Sequence, residues 1–133
     1  MRAPTLLAAT LVALLAACTP PATLTDAPLV TGFRVSPTFN AFTGPCDIRY
    51  TLAEPAFVQV RVTQRQPDGT VALVRQVTTE QRETPGSRTA AWRGTGANGL
   101  FAPQGEYTVE LFVRLDGQVR AEEWTLPTVM FRS

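Results

Sequence analysis

The chain has 133 residues, with 12 basic residues (every one an arginine) against 11 acidic ones, and no histidine. Hydrophobic residues make up 44% and charged residues 17%, a balance that supports one packed domain and excludes general disorder. A net charge of +1 offers no field for nucleic acid, and without histidine the commonest acid–base group and the commonest zinc ligand are both missing.

The chain opens with Met1 and Arg2, followed by an uncharged, largely apolar run from Ala3 to Ala17. A short positive start before an apolar core is the pattern of a secretory signal. The run falls short of the ~20 apolar residues that span a bilayer comfortably, which leaves a plain membrane anchor as the lesser alternative. Its end, Leu15-Ala16-Ala17-Cys18, resembles the lipobox of bacterial lipoproteins. Small residues there let a peptidase approach the backbone, and the thiol accepts a diacylglycerol. The resemblance implies cleavage between Ala17 and Cys18, lipidation of Cys18 and acylation of its new amino group. Several acyl chains hold a protein where one is marginal. Residues 1–17 are therefore expected to be a lipoprotein signal peptide and the protein to sit in the cell envelope. In such families Thr19, in place of the Asp that retains a lipoprotein at the inner membrane, points to the outer membrane.

Losing Arg2 with the leader leaves equal numbers of arginines and carboxylates. With Cys18 acylated, Cys46 has no partner within the chain and no intrachain disulfide forms. Two readings stay open for Cys46: a thiol packed at a strand entry, or an intermolecular disulfide or redox contact. Residues 18–28 hold the lipidated N-terminus and a linker, of which Thr19–Pro28 is rich in Pro and Thr and reads as an extended tether. Ten such residues reach at most ~33 Å, so the body would sit near the membrane.

From Leu29 to Ser133 the pattern is strand after strand. Ile48, Tyr50 and Leu52 alternate with Asp47, Arg49 and Thr51; Val58, Val60 and Val62 alternate with Gln59, Arg61 and Thr63; Tyr107, Val109, Leu111 and Val113 alternate with Thr108, Glu110 and Phe112. Period two places each apolar set on one face of a half-buried strand. Pro67-Asp68-Gly69 and Asp116-Gly117 are hairpin signals, and Glu54-Pro55 marks a tight connection. The expected strands are 30–36, 47–53, 56–65, 70–78, 87–93, 106–115 and 118–131, the last broken near Pro127. The 30–36 and 70–78 strands are expected at sheet edges, where Arg75 and Gln76 would blunt pairing. About seven short strands with regular turns predict an all-β, antiparallel, immunoglobulin-like β-sandwich over 29–133.

The stretch Tyr50–Leu111 resembles the immunoglobulin-like domain of the flagellar hook-capping (FlgD) type. The matching residues are Tyr50-Thr51-Leu52-Ala53-Glu54-Pro55-Ala56, Val58-Gln59-Val60-Arg61-Val62, Gly69 with Val74-Arg75, Trp92-Arg93-Gly94, Asn98-Gly99 and Pro103-Gln104-Gly105-Glu106-Tyr107. The same residues carry a physical role of their own. Trp92 would cap the core, Gly105 suits a turn at positive φ, and Tyr107 can bond nearby backbone as a tyrosine corner does. Many members carry an acidic, calcium-suited segment after the first strand. Here Ser36–Gly44 holds no carboxylate, and calcium needs six to eight oxygens with some charge, so no metal is expected and no flagellar role is carried over. A second family, the intracellular proteinase inhibitors, is similar in its Trp, Gly and Gly-x-Tyr spacing, but its front half and its compartment fit less well.

Chemistry-bearing patterns are few. Gly94-Thr95-Gly96-Ala97-Asn98-Gly99 spells a dinucleotide fingerprint, yet no helix follows to meet a phosphate, so an inter-strand loop is expected. Glu122 and Glu123 point to opposite faces of one strand and cannot act as an acid–base pair. Ser36, Ser87 and Ser133 have no histidine to activate them. The arginines alternate with acids and read as a solvated sheet face, with Arg61 and Arg114 in reach of Glu110. The aromatic residues Phe39, Phe42 and Phe101 lie outside the clear strands and are the candidate partner contacts, unless they plug the sandwich ends. The sequence thus predicts a lipid-anchored envelope module that binds or scaffolds another envelope protein, with no catalysis, cofactor, metal or nucleic acid. A protease inhibitor acting through the 94–104 loop is the alternative.

Overall fold

The computed structural model describes residues 27–115 and 120–133. The expected signal peptide with Ala17, the expected lipidation site Cys18, most of the expected tether and the expected Asp116-Gly117 turn lie outside the described residues. Eight strands follow in chain order: β1 (Val30–Val35), β2 (Thr38–Asn40), β3 (Cys46–Leu52), β4 (Ala56–Arg65), β5 (Val71–Glu83), β6 (Gly86–Trp92), β7 (Gly105–Leu115) and β8 (Ala121–Phe131). No helix occurs among the described residues. The strand beyond the expected seven is β2, whose three residues are too few for period two to reveal.

The strands form a three-stranded sheet in the order β1-β3-β6 and a five-stranded sheet in the order β2-β8-β7-β4-β5. All neighbours are antiparallel except β2, which runs parallel to β8. The alternation places Ile48, Tyr50 and Leu52 of β3 on one buried face, and Val58, Val60, Val62, Val109, Leu111 and Val113 of β4 and β7 on another. These faces stack in a sandwich-like arrangement around one apolar cluster running from Leu29 to Met130. Across the layers the Trp92 ring meets Tyr107 at 5.0 Å and Phe39 at 5.4 Å, both edge to face. Each fully buried Val, Leu or Ile contributes about 1.5–3 kcal/mol of transfer free energy, which is the drive for the stacking.

Two strand expectations change. Strand β5 runs on to Glu83, with register shifts against β4 that let it keep pairing. Strand β8 is unbroken at Pro127, which faces Thr108 of β7. On its other side β8 is met by β2 only at Val129–Phe131, so the missing N–H of Pro127 interrupts no ladder. As expected, β1 and β5 are edge strands.

The chain changes sheet between β1 and β2. Ser36 fixes that step: its N–H donates to the Asp47 carbonyl at 3.0 Å, and its hydroxyl accepts the Asp47 N–H at 3.0 Å. The buried Thr128 hydroxyl donates to the Ser36 carbonyl at 2.7 Å. The strand registers sort the connections into two poles. Leu29, the β3–β4 connection and the β5–β6 turn share one pole, with the ends of β7 and the start of β8. The opposite pole carries residues 41–45, the Pro67-Asp68-Gly69 turn and the 93–104 loop.

Candidate functional site

At the pole opposite Leu29, two loops are held by their own hydrogen bonds. In the first, the Asn40 carbonyl accepts the N–H groups of Thr43 and Gly44, each at 3.0 Å, and the Asn40 side chain accepts the Phe42 N–H at 2.9 Å. An Asn that turns the chain on itself this way is a favoured turn former. The Ala41 N–H donates to the Phe131 carbonyl at 2.8 Å and ties this loop to β8.

The second loop follows β6. The buried Trp92 indole donates to the Thr95 carbonyl at 2.8 Å. Gly94 sits at φ 85° with Met130 and Ala41 packed against its Cα. Farther on, the Gly96 N–H bonds the Leu100 carbonyl at 2.8 Å, the Gly99 N–H bonds Gly96 at 3.0 Å and the Ala102 N–H bonds Gly94 at 2.8 Å. Thr95 and Phe101 pair as an isolated bridge. The glycine pattern is thus a closed loop leading to a strand, with no helix start for a phosphate. Gly105 opens β7 at φ 147°, and the Tyr107 hydroxyl donates to the Pro103 carbonyl, the backbone bond expected of a tyrosine corner.

Together the loops present an exposed aromatic pair. Phe42 and Phe101 are 59% and 46% exposed, with ring centres 5.3 Å apart and planes at 71°. Leu100 beside them is 68% exposed. Phe39 does not join them. It lies on β2 with its ring turned inward against Trp92 and is buried, so it plugs the core and offers nothing to a partner. Under Phe42 and Phe101 lies a cleft of about 330 Å³, walled by Thr43, Arg93 and Thr95. Arg93 also lines the adjoining cleft of about 240 Å³ between β5 and β6, together with Arg75 and Val77. No carboxylate lines either cleft.

The outer face of the five-stranded sheet is different in kind. Arg61 pairs with Glu110 at 2.6 Å, as expected, and covers the half-buried Phe112 ring at 4.5 Å. Arg114 does not reach Glu110. It pairs with Glu80 of β5 at 3.3 Å and covers Phe57 at 4.7 Å, because β4 places Phe57 directly opposite it. Such exposed pairs contribute little each, but they leave this face electrostatically matched.

Glu122 carries a role that the sequence pattern does not reveal. Glu123 points outward, while the Glu122 carboxylate accepts the Leu29 N–H at 2.8 Å, the Trp124 indole N–H at 3.1 Å and Arg120 at 3.2 Å. Burial pushes its pKa up, yet the hydrogen bonds prevail and hold it below the usual range. The side chain therefore clamps the point where the chain enters the body. Cys46 is fully buried, 3.7 Å from the Thr128 hydroxyl. Burial pushes its thiol up, away from the thiolate that redox chemistry needs. Among the described residues no three His, Cys, Asp or Glu side chains gather as a metal site. No protein-family model matches the chain, and no curated protein matches it.

Proposed function

We propose that this protein is a lipid-anchored cell-envelope module of immunoglobulin-like type that presents a binding surface and performs no catalysis. The anchor reading rests on Leu15-Ala16-Ala17-Cys18. The immunoglobulin-like reading draws support from the strand order. The first strand divides between two sheets, β3 and β6 pair in one, and β4, β7 and β8 lie together in the other, which is the partition such sandwiches use.

One observation carries the functional reading: the two poles are unlike. The chain enters the body at Leu29, clamped by Glu122 at one pole, while the exposed Phe42, Leu100 and Phe101 occupy the other. A tethered module oriented in this way turns its apolar tip away from its tether, and exposed apolar clusters mark interaction sites.

Replacing Cys18 by Ser is expected to move the protein from the membrane fraction to the soluble one in its native cells; a protein still retained on the membrane overturns the anchor. The rival reading, a protease inhibitor working through 94–104, meets an obstacle in the loop itself. Its Gly96, Gly99 and Ala102 N–H groups are already bonded within it, leaving few to pair with a protease in extended form. Inhibition of a protease panel at micromolar protein would restore that reading.

A further inference from the structure

Two arginines share the clefts beneath the exposed rings, and neither is matched there by an acid. On the body of the five-stranded sheet and at the tether pole, Arg61, Arg114 and Arg120 each have a carboxylate within 3.3 Å. At the distal tip, Arg75 and Arg93 have none among the described residues. Arg75 gives one N–H to the Gly96 carbonyl at 3.0 Å, and its fork keeps further donors to offer. Arg93 is exposed and stands where the two clefts meet, beside Thr95 and below the Phe42–Phe101 pair. Two exposed rings and two guanidinium groups without a carboxylate partner converge here on adjoining clefts.

We propose that this tip binds an extended acidic segment of another protein, in which an apolar side chain neighbours one or more carboxylates. The apolar side chain packs against Phe42 and Phe101. The carboxylate meets Arg93, whose planar fork matches it in two parallel hydrogen bonds, with Arg75 beside it. The occupant is chosen by charge: clefts lined by two cations and no acid complement a negative partner. A second copy of this chain fits poorly, because a two-fold contact across the tip sets the basic cleft against itself. This inference rests on the reading of the protein as a binding module, but it is independent of the lipid anchor.

The test uses the full chain in detergent micelles, panned against displayed random peptides of about twelve residues. Recovered peptides are expected to place Asp or Glu next to Phe, Trp or Leu. Their affinity should fall by at least about tenfold in Arg93→Glu and in Phe101→Ser, as expected for losing a central contact, and should weaken with salt. Arg93→Lys should retain part of it, and Arg49→Glu, on the outer face of the other sheet, should leave it unchanged. Circular dichroism of each variant checks the fold.

Recovered peptides without carboxylates, or with full affinity for Arg93→Glu, overturn the site. If they map to another face, the binding-module reading survives alone; if no peptide rises above background, both fall. Vesicles of phosphatidylglycerol and phosphatidylethanolamine form a second arm with the Cys18→Ser chain. Binding there that is lost in Phe101→Ser makes a bilayer the occupant and overturns the peptide. Membrane retention of Arg93→Glu in cells, equal to wild type, scores the anchor separately from the tip.

Discussion

Gly94 marks a close approach of the chain to itself. A Cβ built there lies 2.6 Å from the Met130 sulfur and 2.8 Å from the Ala41 Cβ, at φ 85°. Both the strain and the overlap oppose any side chain, so Gly94→Ala should cost about 2–4 kcal/mol, read from the urea midpoint. Gly105 has positive φ but open space, its nearest neighbour being the Gln64 amide at 4.0 Å. Gly105→Ala should therefore cost about 1–2 kcal/mol, from backbone strain alone.

Glu122 contributes to the acid side of stability. Its folded pKa lies below the ordinary carboxylate value, so the unfolded chain takes up the proton first as pH falls. The stabilisation is complete above the unfolded pKa of about 4.3 and is lost as pH falls through the folded value. Glu122→Gln should flatten that limb of a stability–pH curve; an unchanged acid limb removes Glu122 from the role.

At the scale of elements, the informative pair is β4 with β5. Their ladder slips at several points between Val58 and Thr63, and at one of them the Val60 N–H turns to the Thr78 hydroxyl at 3.1 Å. The Gln76 amide meets the Val60 and Thr78 carbonyls nearby, at 3.4 and 2.8 Å. Side chains thus replace ladder bonds where the backbone bulges, as buried peptide groups require. Thr78→Val keeps the shape and orphans the Val60 N–H, which should cost about 1–3 kcal/mol. Hydrogen exchange at Val60 should rise at the same time. The bulges also distort a thirteen-residue edge strand, and with Arg75 and Glu80 they discourage pairing with another chain.

At the scale of the molecule, the chain from Leu29 onward supplies a complete core. Leu29 and Val30 are buried, and the Leu29 carbonyl accepts the Ala53 N–H at 2.9 Å. A chain starting at Ala27 should melt cooperatively, within about 2 °C of the lipid-free Cys18→Ser protein. A chain starting at Ser36 loses β1, uncovers the edge of β3 and should show no cooperative transition by near-ultraviolet circular dichroism. A cooperative melt of the shorter chain would show that the core closes without β1.

The sequence determined the strands, because period two is written locally: β3, β4 and β7 could be read from their own apolar alternation, and the Pro67-Asp68-Gly69 turn from residues that favour it. It likewise marked Gly105 and Tyr107, whose turn and Pro103 bond lie within a few residues, and it marked Trp92 and Gly94 by residue type, although their partners Phe39, Tyr107, Ala41 and Met130 lie far along the chain. Only the tertiary structure decided the rest. Strand β2 exists because β8 lends it a neighbour, and Pro127 is tolerated because that neighbour stops short of it. Phe39 turns inward under Trp92 while Phe42, three residues on, turns out. Arg75 and Arg93 lie eighteen positions apart and become one feature only where the free edges of two sheets meet. Contacts of that range depend on how the layers stack, and no window along the chain contains them.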